Sequence, residues 1–139
     1  HNRGHMVKAM LEGIGYNLKW ILENYERDFG FRVDTLRAIG GGSVNDKWMQ
    51  GIANITGKRV ETITEPRMAG AIGAALCAFV GGGVFRDFSE VSRLIHVNRS
   101  FTPQPDRQEI FAELFRTYKA IYTDLRQTYS NVNLKRFNA

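Results

Sequence analysis

Apolar residues recur at helical spacing through the first part of the chain, residues 5–26. Val7, Met10, Leu11, Ile14, Leu18, Ile21, Leu22 and Tyr25 form one stripe there. Lys8 and Glu12, and likewise Lys19 and Glu23, stand four apart, as on the solvated face of a helix. Gly13 and Gly15 interrupt this helix. A glycine there costs about 1 kcal/mol relative to alanine, which close approach of another backbone would explain. DFGFRVD reads as a connector, and TLRAIGG as a short strand at residues 36–39 running into glycines. NDKWMQGIANITG predicts a helix with Trp48, Ile52 and Ile55 on one face and Gly57 as its terminator. KRVETIT alternates as a strand, Arg59–Ile63. Pro66 suits the first turn of the next helix, and Ala69, Gly70, Gly73 and Ala74 give that helix a small-residue face fit for close packing. FRDFSEVSRLI predicts a short helix and HVNRSFTP a strand or extended arm. A long helix follows at residues 105–129, striped by Phe111, Leu114, Phe115, Tyr118, Ile121, Tyr122 and Leu125. Helices alternating with strands predict an α/β layer fold.

The chain has 139 residues, enough for one domain with a hydrophobic core. No apolar run approaches the roughly 18 residues that a membrane-spanning helix requires, so no membrane partner is expected. The first residues, HNRGHMVKAM, lack both a signal-peptide layout and an initial Met. The formal charge of +5 raises the question of nucleic acid. Basic residues are scattered, however, with Lys58-Arg59 and Lys135-Arg136 the only adjacent pairs, and no nucleic-acid partner is expected. His1, His5 and His96 show no ligand spacing, so no metal site is expected. Cys77, in AALCAFV, reads as a small buried core residue, and a lone thiol fits a reducing cytoplasm.

The stretch AIGGGSVNDKW, residues 38–48, carries the candidate chemistry. Glycines after a strand free the backbone for positive φ and leave no Cβ against a ligand. The following helix aims its N-terminal N–H groups and partial positive charge at the same place, which suits a nucleotide phosphate or ribose. The candidates are Gly40, Gly41 and Gly42 through their backbone, with Ser43 and Asn45 bonding the ligand or capping the helix. A tight turn with an ordinary N-cap is the plain alternative. Asp46-Lys47-Trp48 departs from the Gly-Lys-Ser/Thr end of a P-loop. The GxGxxG spacing is absent too, although Glu61 lies near the distance of its acidic partner, which keeps a dinucleotide-dependent oxidoreductase fragment as an alternative. The aromatic stripe of the last helix leaves another, a non-catalytic helical interaction module. VGGGVF at residues 80–85 follows a helix and reads as a stop and a loop.

Taken in order, GGGS, the W-x-Q helix, ANITG, the strand, Glu65 and the AGAIGAA helix resemble the C-terminal domain of the FGGY carbohydrate kinases, most of all the xylulokinase-like members. The upstream RGHMVKAMLEGIGYNLKWILE is similar to that family's Arg-Ala-x-x-Glu-Gly helix, so the resemblance runs over residues 3–86. It implies part of an actin-like ATPase, ribonuclease H-like lobe, with residues 1–139 as the nucleotide-binding domain and residues 103–139 as a C-terminal helical extension. It implies that Gly40, Gly41, Gly42 and Ser43 form the adenosine motif and that Gly41 and Asn45 contact the nucleotide. The helix of Ala69, Gly70 and Gly73 would correspond to an interdomain connecting helix. The implied activity is transfer of the ATP γ-phosphate to a sugar hydroxyl, with D-xylulose the first expectation, ATP or ADP as the nucleotide and Mg2+ in the full-length enzyme. The phosphate loops, the sugar pocket and the carboxylate base have no counterpart here and are expected upstream of His1. No catalytic residue is therefore assigned, and the chain alone is expected to be inactive. A two-strand remnant of a sheet would leave an open edge, so a homo-oligomer is expected.

Overall fold

The computed structural model describes the backbone of residues 1–137 and the side chains of residues 1–133. Helix α1, Arg3–Phe29, opens on a reciprocal cap in which Asn2 Oδ1 accepts the His5 N–H and His5 Nδ1 accepts the Asn2 N–H. It ends on left-handed Gly30. Strand β1, Thr35–Ala38, leads through a 3-10 turn, Gly41–Val44, into α2, Asp46–Thr56. Gly57, at φ 70°, closes α2, and β2, Arg59–Ile63, returns parallel to β1. A second 3-10 turn, Pro66–Met68, precedes α3, Ala69–Gly81, and the short α4, Phe88–Ser92. The segment read as a strand or extended arm is a third strand, β3, Val97–Phe101, antiparallel to β2. The sheet order is β1-β2-β3, so β3 covers one flank of the expected strand pair and β1 keeps an open edge. A 3-10 turn, Pro105–Arg107, then leads into α5, Gln108–Phe137, which ends eight residues beyond the predicted 129. Lys135-Arg136 falls outside the described side chains.

Two apolar clusters hold these elements together. In one, Met49, Ile52 and Ala53 of α2 pack with Val60 of β2, flanked by Leu18, Leu36 and Phe101. In the other, Tyr16 of α1, Ile55 of α2 and Phe115 of α5 meet, flanked by Trp20, Phe111 and Tyr118. Gly15 is where α1 crosses α2: a Cβ there would stand 2.7 Å from Ile55 Cδ1. Close approach of a side chain, and not of the expected backbone, accounts for Gly15, while a Cβ at Gly13 would meet open space.

Helix α3 departs from the sequence reading. Only Leu76 of this helix is buried, and Cys77, expected in the core, is exposed. A Cβ at Gly70 or Gly73 would touch nothing within 4 Å among the described residues, so the small-residue face is not closely packed by them. Its apolar composition promised burial, but the helix lies against the turn that introduces it and away from the two clusters. Among the described residues, no helix is long and apolar enough to cross a membrane.

Candidate functional site

The three glycines after β1 differ in what they do. Gly40 has φ 84° and ψ −179°, a backbone conformation that side-chain-bearing residues rarely adopt, and its N–H donates to the Pro66 carbonyl at 2.7 Å. That bond ties the turn after β1 to the one after β2. Gly42 is covered by Trp48: a Cβ there would lie 3.2 Å from two carbons of the indole ring and still closer to Cζ3. Gly41 lies between them without such a constraint. Its φ is not in the left-handed region, and a Cβ would meet nothing within 4 Å. The fold explains Gly40 and Gly42 and leaves Gly41 as bare backbone facing open space.

Ser43 turns inward. It is 2% exposed, and its Oγ donates to the Gly40 carbonyl at 2.8 Å, so this hydroxyl fastens the turn. Asn45 caps α2: its Oδ1 accepts the Trp48 N–H at 3.2 Å, and its carbonyl accepts the same N–H at 3.1 Å and that of Met49 at 3.0 Å. Asn45 is exposed, and its Nδ2 group finds no acceptor among the described residues. The five candidate residues therefore form one continuous turn, with Gly41 and Asn45 open to a guest and Gly40, Gly42 and Ser43 shaping it.

Trp48, assigned by its spacing to the core, also forms a wall. It covers Gly42 and lines an apolar cavity of about 640 Å³ bounded by Val7 and Leu11 of α1, Ile55 of α2 and Phe111 of α5. Asn45 and Lys47 lie on the same rim. The Trp48 Nε1 is buried without a hydrogen-bond partner among the described residues. Glu65, which the sequence marked only as part of the family resemblance, has an unusual backbone. It holds φ 55° and ψ 52° directly before Pro66, next to the carbonyl that receives the Gly40 N–H. Non-glycine residues in that region carry strain of order 1 kcal/mol or more, and such strain concentrates at functional segments. The residue before a proline is ordinarily driven to extended backbone, so no local signal announced it.

Perturbed titrating groups lie elsewhere. Burial, then the Glu12 charge, pushes the Tyr16 hydroxyl up to about 12 within the α1–α5 cluster. The hydrogen bond from Lys58, then the Val33 N–H, holds the Glu26 carboxyl below its ordinary value. Ser89 does the same for Asp87, the cap of α4. Each of these groups serves a cap, a cluster or a connection away from the turn. Glu61, the acidic group of the dinucleotide alternative, is paired with Arg37 across the sheet at 3.3 Å. Among the described residues, no three His, Cys, Asp or Glu side chains group as metal ligands.

The model of the FGGY family of carbohydrate kinases, C-terminal domain, matches residues 1–82, more than half of the chain and all of the turn. A xylulose kinase of Bacillus subtilis is 36% identical over 138 residues, covering 99% of this chain and 27% of the relative. A glycerol kinase of Pseudothermotoga lettingae is also 36% identical, over 121 residues, covering 87% of this chain and 24% of the relative. The crystal structure of ligand-bound xylulose kinase from Lactobacillus acidophilus superposes with a TM-score of 0.83 at 26% identity, over 95% of this chain and 26% of that one. The chain thus spans about a quarter of the length of the kinases it matches. Its sheet and helices are part of an actin-like ATPase lobe. The chain belongs to the FGGY family of carbohydrate kinases and carries that family's C-terminal domain.

Proposed function

We propose that this chain is the adenosine-holding part of an ATP-dependent, cytoplasmic sugar kinase, and that the turn of Gly40, Gly41, Gly42, Ser43 and Asn45 receives the nucleotide. The observation that carries this reading is the bare backbone at Gly41, an opening that any side chain would fill. Bound ATP supplies the γ-phosphoryl group, and a sugar hydroxyl receives it. Gly41 lets the nucleotide approach the main chain, Asn45 offers an amide at the start of α2, and the N-terminus of α2 adds a partial positive charge. Gly40, bonded to the Pro66 carbonyl, and Ser43, bonded to Gly40, keep the turn preorganised, so little ordering is required on binding. The described residues offer no carboxylate cluster for Mg2+, and no role with that ion is assigned to them.

We infer D-xylulose as the sugar, supported by the xylulose kinase relative over 99% of the chain; the glycerol kinase relative makes glycerol the competing acceptor. Proton removal from the acceptor and seating of the sugar belong to parts of the kinase beyond these residues, so the chain alone does not phosphorylate. Gly41→Val in the full-length kinase tests the reading. The Michaelis constant for ATP rises about tenfold or more while that for sugar stays within a factor of two. An unchanged ATP constant returns the turn to a plain connection, and comparison of D-xylulose with glycerol decides the acceptor.

A further inference from the structure

Asp46, Gln50 and Asn54 of α2 are spaced four residues apart and so share one face of the helix. All three are bonded to the same downstream segment. Arg99 of β3 pairs with Asp46. Gln50 Nε2 donates to the Thr102 carbonyl at 2.8 Å and to Asn54 Oδ1 at 3.0 Å. Asn54 Nδ2 donates to Gln104 Oε1 at 2.9 Å, and Asn54 Oδ1 accepts the Gln104 N–H at 2.9 Å. The Asn54 carbonyl accepts a bond from Gln108 Nε2 at 3.2 Å. Asn54 is only 6% exposed, and a buried amide is stable only when its donors and acceptors are satisfied. Its partners are Gln50 of its own helix and residues some fifty positions downstream, which lie outside the 1–82 stretch of the family match.

The opposite side of α2 is held by apolar packing, which is non-directional and leaves a helix free to turn or slide slightly. Hydrogen bonds fix distance and angle. The three anchored positions span eight residues, about 12 Å of helix, which is enough to fix both rotation and axial setting. The same helix begins with the Asn45 cap and presents Trp48 over Gly42.

We propose that residues 97–108 form a positioning strap for the nucleotide turn, with the Asp46–Gln50–Asn54 face of α2 as its seat. The strap touches no ligand. It acts through α2 by keeping Asn45 and Trp48 in register with Gly40–Gly42, and the inference rests on the adenosine reading of that turn.

The test uses the 139-residue chain, ADP as the probe, and NMR to follow both affinity and the Trp48 indole N–H resonance. Two strap variants, Arg99→Ala and the double change Gln104→Ala with Gln108→Ala, are compared with Phe115→Leu, which weakens the apolar hold of the Tyr16–Ile55–Phe115 cluster on α2 and leaves every strap bond in place. Gly41→Val serves as the reference for the site itself. Both strap variants weaken ADP binding about five- to tenfold and shift the Trp48 indole signal, while Phe115→Leu lowers the melting temperature and leaves ADP affinity unchanged. Arg99→Lys, which keeps a cation for Asp46, restores most of the affinity. Strap variants that melt earlier but bind ADP as the parent does assign these bonds a structural role only, and the proposal fails. If Gly41→Val also leaves ADP affinity unchanged, the turn is not the nucleotide site and the proposal fails together with that reading.

Discussion

Adjacent glycines of the turn carry opposite predictions. A Cβ added at Gly42 would overlap ring carbon Cζ3 of Trp48 and press on two others at 3.2 Å. An indole is rigid, so the whole ring must move. Moving the ring toward the neighbouring cavity strips its flank from the Met49–Val60 cluster. Overpacking of this kind costs about 1–3 kcal/mol. For a domain of this size that is a fall in melting temperature of about 3–10 °C. At Gly41 the same methyl group meets open space and the backbone lies outside the left-handed region. Gly41→Ala there stabilises by about 0.4–1 kcal/mol, because the unfolded chain loses freedom that the folded chain never used. Thermal unfolding followed by circular dichroism separates the two, and tryptophan emission adds a second signal: Gly42→Ala shifts the Trp48 contribution and Gly41→Ala does not. Equal melting temperatures for the two variants would refute the packing of Trp48 on the turn, and with it the assignment of Gly41 as the open position.

The Lys58–Glu26 pair, at 2.6 Å, ties the end of α1 to the start of β2. Because the folded-state value for Glu26 is depressed, its contribution is complete above the ordinary value of 4.5 and is lost as pH falls below it. The parent chain therefore loses melting temperature between about pH 5 and 3 more steeply than Glu26→Gln does, and parallel curves would contradict this. Self-association is predicted for the chain by itself from the open edge of β1 and from Met10 and Ile14 of α1 and Ile121 and Leu125 of α5, all exposed. Sedimentation at low micromolar concentration reports species larger than the monomer; a cooperatively melting monomer would show that the clusters already formed suffice.

The fold was legible where local chemistry is decisive. Arg59–Ile63 alternates and Gly57 stands at a helix end, so the bounds of β2 and the close of α2 follow from the sequence. The third strand was ambiguous because four of its five residues are exposed, which removes the alternation that marks a half-buried strand. No glycine or proline signals where α5 stops, so its stripe underestimated its length. Cys77 was misjudged because composition records apolar character and not the presence of a covering element. The glycine run announced the turn, but the separate tasks of Gly40, Gly41 and Gly42 depend on Pro66 and Trp48 in space. The polar face of Asp46, Gln50 and Asn54 stands at plain helical spacing, yet its meaning depends on partners about fifty residues away.

An adenosine-holding turn requires the nucleotide to meet backbone at Gly41. Amide-resolved NMR of the chain, titrated in parallel with ADP and with NAD to millimolar concentration, tests it most directly. Nucleotide binding at the turn gives saturable shifts with ADP centred on the amides of residues 40–45 and the Trp48 indole, and weaker or no response to NAD. Shifts that leave residues 40–45 untouched, or tighter binding of NAD than of ADP, would contradict it.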